Sequence, residues 1–326
     1  MNRDDGPQLK IFQRMRKQKP LSASGQSKGV QATGQAQSVQ ATARGVTTAG
    51  QAQGVAAGKA GDLLWTLDNN GALTIAGAGV VDGFTGTPWT PENVTSLVIR
   101  DGVTGVGLLA FYGHKNLTSV RVPDSVTQIG GCAFQDCAAL ERVELPDTLT
   151  FIGGSAFQGC ANLKSVTIPD SVTDIGGWAF RDCHALKHIR VPDGVKEIGD
   201  FTFAFCKSLE RVELPDSLTQ IGGSAFAFCE SLTSVRVPDG VTAIGDFAFQ
   251  FCGKLAELRL PDGLTSIGEF AFQFCGGLTG IRFPDSLTQI GDWAFMNCTG
   301  LKSVSVPAGV VMNANAFDPK TVLTRR

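Results

Sequence analysis

The chain has 326 residues, of which 43% are hydrophobic, so it can bury a sizeable core in one or two domains. Its formal charge is only −2, and no stretch approaches the roughly 20 apolar residues that a membrane-spanning helix needs. The basic start is not followed by the apolar run of a secretory signal. The compartment is left unknown, with the cytoplasm or a non-Sec export route as the alternatives.

The first 60 residues differ from the rest of the chain in charge. They contain nine Lys and Arg but only two Asp, a net of +7, whereas the remainder holds 19 basic and 28 acidic residues. From Ser22 to Gly61 the sequence is mostly Gln, Ala, Gly, Ser and Thr and has no aromatic residue. We therefore expect residues 1–61 to form a flexible basic tail. Such a tail supports only non-specific, salt-sensitive contact with nucleic acid, so no specific nucleic-acid partner is predicted.

The stretch "LLWTLDNNGALTIAG" (63–77) has two alternating apolar runs on either side of Asn70-Gly71. Asn-Gly is a preferred two-residue loop of β-hairpins because both residues adopt positive φ readily. Residues 62–93 are therefore predicted to form an N-terminal β-hairpin cap of a folded domain. Trp65 and Trp89 are expected to pack over its end.

From Val94 onward a 23-residue unit repeats, with the pattern L-x-x-V-x-V-P-D-x-V-T-x-I-G-x-x-A-F-x-x-C-x-x. Each copy is called a rung here, and its positions are numbered from the first Leu or Val. Apolar and polar residues alternate at the start of each rung as in a strand, and no rung can bury its apolar side chains alone. The sequence predicts a repeat solenoid, mainly β, with short parallel strands and one helical turn per rung. Nine rungs are expected over 94–300, and a degenerate tenth rung with a C-terminal cap over 301–326.

The rung and its lead-in, "W-T-L…G-x-L-T-I-x-G…P-W", resemble the BspA-like leucine-rich repeat family over about residues 62–317. The resemblance implies a solenoid without enzymatic activity. Better-known members of that family look like surface proteins that bind host matrix proteins or other cells. The resemblance therefore implies a protein partner and an adhesin-like role.

Two columns of chemically reactive residues run through the rungs. Eight cysteines share position twenty-one, Cys132 lies outside that column, and aspartates occupy position eight. Equivalent Cβ atoms of stacked rungs lie about 4.8 Å apart with parallel Cα–Cβ vectors, wider than the roughly 3.8 Å that a disulfide needs, and one column cannot supply a tetrahedral metal site. The eight cysteines are predicted to be buried free thiols and Cys132 a more accessible one. The aspartates are predicted to accept hydrogen bonds from turn amides, so we expect no metal and no cofactor.

The outer side of some rungs carries aromatic residues that the fold does not require. Phe at position eighteen occurs in every rung and is expected in the core, as for Phe249 and Phe272, but positions sixteen and twenty are aromatic only in some rungs. On a helical turn these two positions are i,i+4 neighbours and form one outer strip. The strip is either an interaction surface or an aromatic packing between rungs that leaves little exposed. It comprises Phe201, Phe205, Phe228, Phe247, Phe251, Phe270, Phe274 and Trp293.

A second feature lies at position five, on the outer face of the first strand, where Arg236, Arg259 and Arg282 follow one another. Adjacent like charges are mildly destabilising, so this arginine row either binds an acidic surface or anion or is a solvated charged face. In the same row, Glu213 is expected to pair with Arg190 and Arg236.

No Walker loop, H-E-x-x-H or G-x-S-x-G motif occurs, so catalysis has no positive support in the sequence. The leading hypothesis is a non-catalytic protein-binding scaffold or adhesin-like protein. The alternative is a structural protein that self-assembles through the aromatic strip, and an enzyme is a distant third.

Overall fold

The computed structural model describes residues 56–83 and 89–326, which all belong to one compact unit, residues 53–326. The expectations for residues 1–55 lie outside the described residues. Residues 56–60, which the sequence analysis included in the tail, form a strand that pairs with the first strand of the hairpin. The N-terminal strands are β1 (Ala56–Ala60), β2 (Leu63–Leu67), β3 (Ala72–Gly77) and β4 (Gly79–Val81).

Each rung contributes up to two short strands, one before and one after the Pro-Asp corner. The strands before the corner are β5 (Ser96–Ile99), β7 (Ser119–Arg121), β9 (Arg142–Glu144), β12 (His188–Arg190), β14 (Arg211–Glu213), β16 (Ser234–Arg236), β18 (Glu257–Arg259) and β21 (Ser303–Val306). Those after the corner are β6 (Val103–Val106), β8 (Gln128–Ile129), β10 (Phe151–Ile152), β11 (Asp174–Ile175), β13 (Glu197–Ile198), β15 (Gln220–Ile221), β17 (Ala243–Ile244), β19 (Ser266–Ile267) and β20 (Gln289–Ile290). The last strand is β22 (Val322–Arg325).

Equivalent strands of successive rungs pair in parallel, and residues 23 apart lie opposite each other, as Val120 does to Val143 and Ile267 to Ile290. The strands before the corner form sheets of order β1-β2-β3-β5-β7-β9 and β12-β14-β16-β18. The strands after the corner form sheets of order β11-β10-β8-β6-β4 and β13-β15-β17-β19-β20. Only β1, β2 and β3 pair antiparallel among the described strands, and β22 pairs in parallel with β21. The predicted parallel solenoid is confirmed.

One hydrophobic core runs from Leu63 to Phe317 through all rungs, because each rung adds the same inward side chains to the stack. The Phe residues at position eighteen are fully buried and stack at 5.2–5.6 Å between ring centroids from Phe111 to Phe295. Phe249 and Phe272 belong to this stack, so their predicted burial is confirmed. Phe317 continues the stack beyond Phe295 at 5.0 Å.

The predicted hairpin joins β2 and β3, and its Gly71 has φ of +80°. A Cβ at this position would lie 2.5 Å from the carbonyl oxygen of Asn93, so the turn requires glycine. Trp65 packs edge-on against Trp89 at 6.2 Å, and Trp89 stacks on Phe111 at 6.1 Å. The two tryptophans therefore cover the first rung, as expected.

The predicted helical turn is absent: no α-helix occurs in residues 56–83 and 89–326. Positions sixteen and twenty adopt left-handed backbone instead, with φ of +60° at Phe247 and +61° at Phe251. The amides of Phe247, Phe249 and Phe251 donate to carbonyls of the next rung at 2.7–2.8 Å. A helix would direct these amides along its own axis. Here every second amide joins the neighbouring rung, so the segment forms a third inter-rung ladder built of turns.

Candidate functional site

The structure places the predicted aromatic residues in two columns rather than on one strip. The position-sixteen column consists of Trp178 and Phe201 and, after the interruption at Ser224, of Phe247, Phe270 and Trp293. The position-twenty column consists of Phe205, Phe228, Phe251 and Phe274. Neighbouring rings in both columns lie 4.4–5.0 Å apart between centroids. The two columns separate because positions sixteen and twenty are not one helical turn apart.

The exposure of the rings varies along the columns. Phe205 and Phe228 are buried, with 6% and 7% of their surface exposed. Trp293 is 37% exposed. Partial exposure is shared by the remaining predicted rings: Phe201, Phe247, Phe251, Phe270 and Phe274. The four rings of the two "FAFQFC" copies outside the core are therefore partly exposed, as expected, while the first two rings of the position-twenty column are packed between rungs.

All of these aromatic residues have left-handed backbone, with φ between +55° and +67°. This region is unfavourable for bulky L-residues, and Gly, Asn and Asp adopt it at lower cost. Other rungs use such residues, with Asp136 and Gly159 at position twenty. The rings are therefore a costly choice at positions where the fold accepts smaller side chains.

Position nineteen, which precedes the position-twenty rings in the chain, carries buried polar residues that were not predicted from the sequence. Gln250 and Gln273 are 4% and 5% exposed, and the Nε2 of Gln250 donates to the Oε1 of Gln273 at 2.7 Å. The signal was present, because both copies of "FAFQFC" carry Gln at this position. The two amides therefore form a buried hydrogen bond between the two rungs that carry the "FAFQFC" rings.

Arg181 occupies position nineteen of an earlier rung and is enclosed by rings. Its guanidinium carbon lies 4.4 Å from the ring centroid of Trp178, 5.5 Å from that of Phe201 and 5.2 Å from that of Phe205. Its Nε lies 3.2 Å from a carboxylate oxygen of Asp182. Burial lowers the pKa of Arg181, and the charge of Asp182 opposes this effect. Trp178 holds position sixteen of its rung but is not among the residues predicted for the aromatic strip.

The arginine row lies on another side of each rung, on the strands before the corner. Arg236 pairs with Asp216 at 3.0 Å and with Asp239 at 3.8 Å. Arg259 and Arg282 are exposed, and within the described part of the chain no carboxylate lies within 4.0 Å of either guanidinium.

The pairing expected for Glu213 is wrong. Its carboxylate forms a salt bridge with Arg211 on the same strand at 2.9 Å. Arg190 forms salt bridges with Asp170 and Asp193 instead. Arg190 extends toward the acidic Pro-Asp corners, whereas Arg121 reaches across to the neighbouring strand and lies 3.8 Å from Glu144.

The cysteine column behaves as predicted. All nine cysteines are free, the eight at position twenty-one are buried and Cys132 is half-buried. Each buried thiol donates to the carbonyl of a core Phe in the preceding rung at 3.1–3.3 Å. Burial raises the pKa of these thiols, to about 12 for Cys137 and Cys298. Among the residues that the structure describes, no group of three His, Cys, Asp or Glu side chains is arranged to hold a metal ion.

Comparison with known sequences identifies the repeat. The BspA-type leucine-rich repeat region, in six copies, matches residues 89–210 and 196–324. The chain belongs to this family. No curated protein sequence matches the chain. No helix within residues 56–83 and 89–326 is long and apolar enough to cross a bilayer.

Several solved structures of leucine-rich repeat proteins are similar to this chain. A leucine-rich cell surface protein of Faecalibacterium prausnitzii is 26% identical, with a TM-score of 0.43, and the match covers 83% of this chain and 94% of that one. A leucine-rich repeat protein of T. pallidum is 30% identical, with a TM-score of 0.45, over 68% of this chain and 90% of that one. A leucine-rich repeat protein from Eubacterium ventriosum is 22% identical, with a TM-score of 0.41, over 82% and 95% of the two chains.

Proposed function

We propose that this protein is a non-catalytic binding scaffold, adhesin-like in role, that contacts a protein partner through its two aromatic columns. The observation that carries the proposal is the left-handed backbone beneath the rings of Phe247, Phe251, Phe270, Phe274 and Trp293. Unfavourable backbone conformations persist where the surrounding structure imposes them, and bulky residues there need a reason beyond the fold. Partly exposed aromatic rings are enriched at protein–protein interfaces and supply much of their binding energy.

The rigidity of the columns supports the same role. Phe247 stacks on Phe270 and Phe251 on Phe274, and the buried amides of Gln250 and Gln273 in the same rungs are hydrogen-bonded to each other. Side chains that are already ordered lose little conformational entropy on binding, so more of the contact energy becomes affinity. The membership in the leucine-rich repeat family favours protein interaction or adhesion, and the cell surface protein of Faecalibacterium prausnitzii favours a role at a surface.

Binding can be tested with a column variant that combines Phe247→Ser, Phe270→Ser, Phe251→Asn and Phe274→Asn. Ser224 and Asn297 hold positions sixteen and twenty in other rungs with the same left-handed backbone, so these substitutions suit the fold. The matched control is Phe151→Ser, because Phe151 is 38% exposed but lies on β10, outside the columns. Proteins captured by the wild type and the control but not by the column variant would be purified and titrated by calorimetry. Equal binding of a purified partner by all three proteins would contradict the proposal.

Self-assembly through the same rings is the second candidate, favoured by the exposed ring of Trp293 at the end of its column. Light scattering over a concentration series separates the two functions. A monomer at all concentrations supports the scaffold. A mass that rises with concentration in the wild type and stays monomeric in the column variant supports self-assembly.

A further inference from the structure

The arginine row forms the wall of a groove that is separate from the aromatic columns. The groove has a volume of about 330 Å³ and is lined by Arg236, Arg259 and Arg282, with Leu258 and Leu260 among its apolar side chains. Asp239 and Asp262 also line it. Three successive rungs contribute, so the groove extends for roughly 10 Å along the stack at one strand spacing per rung.

The charges in this groove are unevenly satisfied. Arg236 is held by Asp216 of the preceding rung and by Asp239 of its own. Arg259 and Arg282 have no carboxylate within 4.0 Å in the described residues. Two exposed guanidinium groups therefore lie beside the half-buried side chain of Leu260, and neither is ion-paired with the carboxylates of Asp239 and Asp262 that also line the groove.

The chain itself shows which group an arginine at this place binds. At the same position five, Arg190 pairs with the carboxylate of Asp170 in the preceding rung, and Arg236 pairs in the same way with Asp216. Further along the stack, Arg326 pairs with Asp285. Each of these pairings on this face is with a carboxylate, and the planar fork of arginine matches that group geometrically.

We propose that the groove binds an acidic segment of a partner protein, whose carboxylates pair with Arg259 and Arg282 while an apolar group contacts the half-buried Leu260. A short peptide with neighbouring carboxylates fits this combination better than a free anion, because a free anion leaves the apolar surface uncovered. The site is independent of the aromatic columns, since it lies on different segments of the rungs.

The test uses the full chain and a fluorescein-labelled decapeptide of glutamate, with a decapeptide of glutamine as the uncharged probe. Fluorescence anisotropy would be measured for the wild type, for Arg259→Gln with Arg282→Gln, and for a matched control, Arg121→Gln with Arg190→Gln. The control changes two arginines at position five by the same charge, outside the groove. All four residues are exposed, and thermal unfolding followed by circular dichroism checks that each variant folds.

The glutamate peptide is expected to bind the wild type and the control equally. Its dissociation constant for the groove variant should be about tenfold higher or more, because charged hydrogen bonds are lost. Equal binding by all three proteins would overturn the proposal, since the peptide would then bind another basic region, such as residues 1–60. If the wild type bound the glutamine peptide as tightly as the glutamate peptide, the proposal would also be overturned, because the carboxylates would not contribute to binding. Displacement of the glutamate peptide by millimolar inorganic phosphate would assign the groove to simple anions and also overturn the proposal.

Discussion

Phe251 and Phe274 stack at 4.4 Å between ring centroids and within 8° of parallel, closer than the core pair Phe249 and Phe272 at 5.2 Å. The outer pair has left-handed backbone and partial exposure, whereas the core pair is fully buried. The repeat thus builds two kinds of aromatic stack from one sequence motif. One kind carries the stability of the fold, and the other presents rings to the surroundings.

We expect Phe249→Ala to lower the free energy of unfolding by about 3–5 kcal/mol, because it leaves a cavity in the continuous core. The column variant, although it carries four substitutions, should lose less unfolding free energy than Phe249→Ala does. Its rings are only partly buried, and Ser and Asn relieve the backbone cost of the left-handed conformation. Urea unfolding of both proteins measures the difference. A column variant that loses as much stability as Phe249→Ala would show that these rings belong to the core.

The strands and the core could be predicted from the sequence because a fixed period forces equivalent residues onto one another. The helical turn could not be excluded in the same way. Phe249 and Cys252 are joined by a hydrogen bond three residues apart, and that spacing is common to a helical turn and to the observed turns. The bonds that decide between them, such as the amide of Phe249 to the carbonyl of Ala271, join different rungs. Sequence reasoning about one rung does not contain them.

The candidate site was predictable as a set of positions but not as a geometry. Phe247 and Phe251 were expected to be neighbours on one face, and the loss of the helix separated them into two columns. Gln250 was overlooked because an amide next to aromatic residues suggested nothing by itself. Its hydrogen-bond partner, Gln273, belongs to the next rung, so the buried pair appears only in the stacked structure.

Thiol titration should give one accessible cysteine per folded chain and eight more on unfolding. The eight buried thiols are shielded, and burial raises their pKa, so they form almost no thiolate near pH 8. Burial also raises the pKa of Cys132, so its reaction in the folded chain should be rapid only in comparison with the eight buried thiols and should speed up as the pH rises. Ellman's reagent measures both the number and the rate. Cys132→Ser is the control and should remove the rapid reaction. More than one rapid thiol would contradict the burial of the column.

His114 should make stability depend on pH below about 6.5. It occupies position twenty-one, where later rungs have cysteine, and it is 3% exposed. Burial lowers the pKa of its imidazole, and the carbonyls of Phe111 and Tyr112 oppose part of this effect. Above that pH both the folded and the unfolded chain hold neutral imidazole, so His114 adds no slope. Below it the unfolded chain binds the proton more readily, and the folded state loses stability as the pH falls.

The measurement for His114 is urea unfolding at pH 7.5 and pH 5.5. His114→Cys restores the residue of the other rungs and should lose less stability between the two pH values than the wild type does. His188→Gln changes an exposed histidine and should follow the wild type. Identical pH dependence of all three proteins would show that His114 is protonated without cost in the folded chain.

The enclosed guanidinium of Arg181 should contribute to stability although it is charged. It stacks on Trp178, Phe201 and Phe205 and pairs with Asp182, and cation–π contacts of a desolvated arginine contribute about 2 kcal/mol or more. Arg181→Ala should lower the unfolding free energy by at least that amount, because it also opens a gap between the rings. The unfolding free energy of Arg181→Lys should lie between those of the wild type and Arg181→Ala, because an ammonium group cannot stack on the rings as a planar guanidinium does. Arg142→Ala, at a side chain that is 75% exposed, is the control and should change stability by about 0.5 kcal/mol or less. If Arg181→Ala changes the unfolding midpoint no more than Arg142→Ala does, the contacts of Arg181 with the rings do not contribute to stability.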